Sequence, residues 1–286
     1  MEEKSKAKNF RFNKLLGVLA AGLLMAAACS TSDLGLSDES TDQATTLGGS
    51  DTTQAQPITP EQAISSVPAG HTVIVQVSDS LSQISVYEQP DLASAVIQSF
   101  EHPRFPPNIS SSVPTVFTMV ENAEAPEGWA QVNLPIKPNG STGWIRLSEV
   151  TLASTPLRVI IDRDGFNLKV IQASTGDNGE LVETTILDET VGIGTGASAT
   201  PVGSFYVTEL IRSTSEFYGP FAFGLSGFSE DLQEFAGQEN AIIGIHGTND
   251  PDSIGRQSSN GCVRIDNELI TLLADTLPLG TPVEIF

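Results

Sequence analysis

Two side chains in the C-terminal third of the chain could make and break an acyl bond: His246, in the segment IHGTN, and Cys262, in the segment SNGCVR. A thiol is mostly protonated at neutral pH, and an imidazole beside it supplies the base that yields the reactive thiolate. The two residues lie 16 positions apart, joined by the polar stretch GTNDPDSIGRQSSN, which is long enough to fold back and set the histidine against the thiol. Gly261 lets a backbone approach a substrate closely, and the amides of Gly261 and Cys262 could face a developing oxyanion. Taken alone, the pair also fits a buried structural cysteine. Metal binding is the weaker alternative, because the other histidines, His71 and His102, fall much earlier and no Cys/His cluster has a zinc spacing. No metal or cofactor is expected.

Strands must carry these residues. The apolar run AIIGI leads as a strand into His246, and alternating segments at 158–162, 167–172, 183–191 and 203–208 predict a mainly β domain over 157–286. One helix is predicted near 266, with Asp266 or Asn267 as its cap and Leu269, Ile270, Leu272, Leu273 and Leu277 as its apolar face. Leu279 and Gly280 end it, and 281–286 reads as a last strand.

An earlier unit, 70–152, carries short β-rich runs at 71–77, 83–87, 113–120, 129–134 and 143–147. WAQVNL and GWIRL form a hairpin through a turn at Asn139 and Gly140. The stretch GWAQVNLPIKPNGSTGWIRLSEV resembles a bacterial SH3-like small barrel, which implies a wall-binding or spacing module or a domain that only packs on its neighbour. Trp129 and Trp144 are expected as packing residues.

The first 29 residues place five basic side chains before an apolar run at 15–28, the order of an export signal. That run is shorter than the roughly 18 residues a membrane-spanning helix needs. It ends in MAAAC, which resembles the lipobox of bacterial lipoproteins and implies lipidation of Cys29 and anchoring to the outer face of the cytoplasmic membrane, or to another envelope membrane. Simple cleavage and secretion is the alternative. Residues 30–69 are rich in Ser, Thr, Asp, Gln and Gly and read as a disordered polar linker. The formal net charge is −21, and residues 1–29 hold five basic against two acidic side chains, so their removal would make the chain more acidic still. Nucleic acid is an improbable partner at that charge. The only two cysteines, Cys29 and Cys262, are expected to act separately rather than as a disulfide.

The segments GIGTGASATPVGSFYVTEL, YGPFAFGLSGFSE, IGIHGTNDPDSIGRQSSNGCVRIDN and LPLGTPVEIF occur in the order found in the L,D-transpeptidase (YkuD) family, and the resemblance covers 157–286. It implies a β-sandwich-like catalytic domain with few helices that acts on peptidoglycan. By position, Cys262 matches the nucleophile, His246 its activating histidine, and Gly247 the residue whose carbonyl holds the imidazole. Arg264 matches an arginine that could bind a substrate carboxylate or form a structural ion pair, and Ser259 a Ser/Thr position. Tyr218, Pro220 and Phe221 fall where the family has a lid beside the cleft, with plain core packing as the alternative. The implied reaction takes a donor and an acceptor stem peptide and forms a 3→3 crosslink with release of D-Ala. With water as acceptor, the same site is an L,D-carboxypeptidase. Asn260 departs from the family, which commonly has histidine there, and an amide cannot titrate. A catalytically weak peptidoglycan-binding scaffold is therefore a further reading.

Overall fold

The computed structural model describes residues 59–286, except 107–110, 122, 197, 233, 236 and 237. The export segment, Cys29 and most of the expected linker lie outside the described residues. The last part of that linker is helical instead. Helix α1 (Pro60–Ser65) has a capping box in which Thr59 and Gln62 bond each other's backbone, with Pro60 in its first turn. Glu61 accepts from the Gly128 amide at 3.0 Å, and Ile64 packs on the neighbouring core. Average polarity over 30–69 hid this short capping signal.

Seven strands build the first sheet: β1 (Thr72–Val77), β2 (Gln83–Tyr87), β3 (Val96–Glu101), β4 (Val116–Met119), β5 (Trp129–Asn133), β6 (Thr142–Arg146) and β7 (Val150–Thr155). Their order is β3-β2-β6-β5-β4-β1-β7, with every pair antiparallel. Val75, Val77, Ile84, Val86, Phe117, Ala130, Val132 and Ile145 meet in one core. The β5–β6 hairpin turns through Asn139 and Gly140, where Gly140 has φ +82°, a value glycine adopts without strain. Strand β3 was not expected, because it is an edge strand with few buried side chains and shows no clean alternation.

The second sheet uses β8 (Leu157–Asp162), β9 (Asn167–Thr175), β10 (Leu181–Thr190), β12 (Gly203–Arg212), β13 (Phe221–Phe228), β16 (Ile242–His246), β18 (Val263–Arg264) and β19 (Pro282–Ile285). Short pieces lie between them: β11 (Ile193–Gly194) with β17 (Gln257–Ser259), and β14 (Glu234–Phe235) with β15 (Gln238–Glu239). The main order is β10-β9-β8-β19-β12-β13-β16-β18, antiparallel except for β8 with β19 and β16 with β18. Helix α2 (Asn267–Thr276) is capped by Asp266, whose carboxylate accepts from the Glu268 amide. It buries Ile270 and Leu273 against Phe223, Ile245 and Val263. Each such fully buried side chain contributes about 1.5–3 kcal/mol, and this core fixes the strands that present the site.

The two sheets touch along β12 and β13. Tyr206 packs with Ile74 and Val116, and its hydroxyl donates to Asn133 O at 3.2 Å. Asn139 grips the Phe228 backbone at both ends, donating to its carbonyl and accepting from its amide, each at 2.9 Å.

Candidate active site

Strand register brings the predicted residues together. Strands β16 and β18 run parallel with Ile245 opposite Val263 and His246 opposite Arg264. Side chains alternate along a strand, so Ile245 and Val263, both fully buried, face the core. His246, Arg264 and, two positions before it, Cys262 share the other face. Next to Cys262 on that face stands Gly244, which the register sets beside it. A Cβ at Gly244 would lie 2.7 Å from Phe223 O, so this position has no room for a side chain.

His246 is 2% exposed, and its Nδ1 donates to Gly247 O at 2.5 Å. Because a carbonyl can only accept, the proton of the neutral ring sits on Nδ1 and Nε2 is left as the base. Burial lowers the imidazole pKa to about 4; the Gly247 bond opposes that shift and the Arg264 charge adds to it. Burial likewise pushes the Cys262 thiol up, against the lowering effects of the Gly244 backbone and Arg264. The resting pair is thus thiol and neutral imidazole. The thiol and Nε2 share no hydrogen bond among the described residues, and catalytic contacts of this kind commonly tighten only around substrate.

The loop after His246 is locked from α2. Asn267 Oδ1 accepts from the Thr248 amide at 2.9 Å and packs so closely on Gly219 and Gly247 that a Cβ at either would come within 2.2 Å of it. Gly219 has φ +64°. These contacts fix Gly247 O, which orients the imidazole.

The turn that presents Cys262 is closed by its own serine. Ser259, 3% exposed, donates to Cys262 O at 2.5 Å and accepts from the Gly261 amide at 3.2 Å. That commitment corrects the expected oxyanion pair, because the Gly261 amide is engaged with Ser259 Oγ. Thr200, which the sequence reading did not single out, clamps the turn from behind: its hydroxyl donates to Gly261 O and accepts from the Gly194 amide, both at 2.9 Å. Its signal was its place in the quoted GASATPVGSF segment. Asn260 is exposed at the tip of the turn, and its side chain makes no hydrogen bond among the described residues.

A 3₁₀ turn, Glu216–Tyr218, roofs the site. The Tyr218 ring lies edge-on to the His246 ring at 4.8 Å, and the Phe217 ring lies 6.0 Å from it. Burial first, and then Cys262, raises the Tyr218 pKa. Phe217, also missed from sequence, receives the Arg264 guanidinium over its face at 5.0 Å. Phe221 instead begins β13 and packs against the core. Arg264 is 8% exposed, its Nε is without a partner, and it forms no salt bridge among the described residues. Among the described residues no cluster of three or more His, Cys, Asp or Glu could hold a metal.

A family model described as the L,D-transpeptidase catalytic domain, YkuD, matches residues 158–285. The Bacillus subtilis protein named for L,D-transpeptidase activity, YkuD, is 37% identical over 95 residues, covering 33% of this chain and 50% of that protein. Its namesake from Bacillus licheniformis is 31% identical over 130 residues, covering 46% of this chain and 66% of that protein. A crystal structure of an Enterococcus faecium L,D-transpeptidase is 16% identical, with a TM-score of 0.33 over 46% of this chain and 50% of that one. The chain spans about half the length of the Bacillus subtilis relatives it matches. Residues 158–285 belong to the YkuD family of L,D-transpeptidase catalytic domains.

Proposed function

We propose that this chain is a cysteine acyltransferase of peptidoglycan, an L,D-transpeptidase that forms 3→3 crosslinks. Cys262 Sγ attacks the carbonyl between the third, L-centred residue of a tetrapeptide stem and its terminal D-Ala. His246 Nε2 takes the thiol proton as the bond forms and passes it to the departing amine of D-Ala, leaving a thioester. The side-chain amine of a second stem then attacks the thioester, loses its proton to His246, and releases the thiol. Arg264 is suited to a substrate carboxylate, since a buried guanidinium with an unpartnered Nε gains most from a charged acceptor. The observation that carries the reading is the buried His246 with Nδ1 pinned to Gly247 O and on one face with Cys262.

Water as the acceptor would give L,D-carboxypeptidase action at the same site. Export through the N-terminal segment and anchoring through a lipid on Cys29 would hold the enzyme in the cell envelope, with the 70–152 unit as a spacer or wall-binding module. The test is mass spectrometry of the full chain with disaccharide tetrapeptides. D-Ala release, a Cys262 adduct and a crosslinked dimer are expected in wild type, with none of them in Cys262→Ala. Tripeptide without dimer points to the carboxypeptidase, and intact substrate without an adduct overturns the enzyme reading.

A further inference from the structure

A strip without side chains crosses the sheet from the thiol to a buried carboxylate. In register, Glu209 of β12 stands opposite Gly224 of β13, and Gly224 opposite Gly244 of β16. Gly244 in turn adjoins Cys262, as the pairing of Ile245 with Val263 requires. Residues paired in register share a face, so Glu209 lies on the side that carries His246, Cys262 and Arg264. A Cβ at Gly224 would come within 2.7 Å of Glu209 Cγ and Oε1; the glutamate therefore leans across β13 toward the thiol. With strands about 4.8 Å apart, its carboxylate stands roughly two strand spacings from the Cys262 backbone.

The far end of the strip is completed by the other sheet. Arg104 Nη2 donates to Thr208 O at 2.8 Å, and Nη1 lies 3.7 Å from Glu209 Oε2. The Glu209 side chain is 10% exposed and accepts no hydrogen bond among the described residues. Burial raises its pKa, with Arg104 opposing the shift. A carboxylate held in this way, short of donors, is stabilised by an arriving ammonium group.

On the acyl-transfer reading above, the third residue of the donor stem is tethered to Cys262 Sγ, and its side chain must lie over whatever floor adjoins the thiol. A side chain of four methylenes and a primary amine reaches roughly 6 Å from its Cα, which bridges Gly244 to the glutamate. We propose that Glu209, flanked by Arg104, is the subsite that holds the amine-bearing side chain of the donor's third residue. Glu209 accepts from the ammonium, and Arg104 is placed for a carboxylate on the same carbon where the diamino acid has one. The first β unit thus forms one wall of the substrate groove.

The test follows the acylation step alone, as D-Ala release in a single turnover with enzyme in excess, for tetrapeptides whose third residue is L-lysine or Nε-acetyl-L-lysine; acetylation also removes the acceptor amine, which this step does not use. For the full-length wild type, acetylation should lower kcat/KM for D-Ala release by about 10- to 100-fold, the range of a charge-assisted hydrogen bond. In Glu209→Gln the acetylation penalty should largely vanish, while the rate of Cys262 alkylation by iodoacetamide stays at the wild-type value and reports an intact site. An equal penalty in both proteins, or none in wild type, overturns the proposal. If wild type turns over neither peptide, the acyl-transfer reading falls by itself. Equilibrium binding of the same two peptides to Cys262→Ala then decides Glu209: tighter binding of the free amine sustains the subsite, and equal Kd values overturn it.

Discussion

Two histidines, one in each β unit, are buried almost equally, His102 at 5% exposure and His246 at 2%. Their surroundings differ in one respect. His102 uses both ring nitrogens on the protein: Nδ1 accepts from the Thr115 amide at 3.1 Å, and Nε2 lies 3.3 Å from Asp79 Oδ1. His246 spends Nδ1 on Gly247 O and keeps Nε2 free of any hydrogen bond among the described residues. A histidine that satisfies both nitrogens is a structural crosslink; one that holds a single nitrogen fixed and leaves the other open is free to accept a proton. Burial alone does not separate the two cases.

The contrast can be broken by exchange. His246→Gln should lower kcat/KM by about 10²- to 10⁴-fold, the usual share of a general base, with little change in melting temperature. His102→Leu should do the reverse: it leaves the buried Thr115 amide without an acceptor, at a cost of about 1–3 kcal/mol in stability, and kcat stays near wild type. A large kcat loss in His102→Leu would end the distinction. Titration sharpens it further. The His246 pKa is depressed, so the imidazole is neutral above about pH 4 and becomes charged only below it. The acid limb of kcat/KM should therefore fall near pH 4, with full activity at pH 6; a limb near 6.5 would mean that burial does not govern this ring.

Thr200→Val tests a smaller effect, the clamp behind the turn. It removes the hydroxyl shared by the Gly194 amide and Gly261 O, and a stability loss of about 1–3 kcal/mol is expected from the stranded buried amide, readable by urea unfolding. The smallest effect belongs to Asn260→His. That side chain is exposed and makes no hydrogen bond, so kcat/KM should change by about twofold or less, the scale of exposed substitutions. A gain of tenfold would show that the position acts on substrate or thiol after all.

Much of the catalytic sheet could be read from sequence, because its strands alternate strongly and His246 closes an apolar run. The order of quoted segments located Cys262, His246, Gly247, Ser259 and Arg264 before any strand was paired. Register stayed out of reach. Nothing local in the chain announces that Glu209, Gly224 and Gly244 form a row, since three strands far apart in sequence must first pair. Phe217, and the hold of Asn267 on the loop, escaped the sequence for a related reason: each acts across a contact, on the Arg264 guanidinium and on the Thr248 amide. The commitment of the Gly261 amide to Ser259 is a matter of side-chain rotation, which residue types do not dictate.

The clamp between the sheets has its own consequence for ageing. Asn139 holds Phe228 only through backbone atoms, so the identity of residue 228 is irrelevant to the grip, whereas the Asn139 amide group is indispensable. Asn139 also precedes Gly140, the neighbour whose backbone nitrogen most easily attacks an asparagine side chain. Loss of ammonia there would exchange a donor for a carboxylate oxygen aimed at the Phe228 carbonyl, and a two-point grip would become a repulsion. The junction between the sheets therefore has a chemical lifetime, set by how firmly two hydrogen bonds keep one amide from turning toward its own backbone.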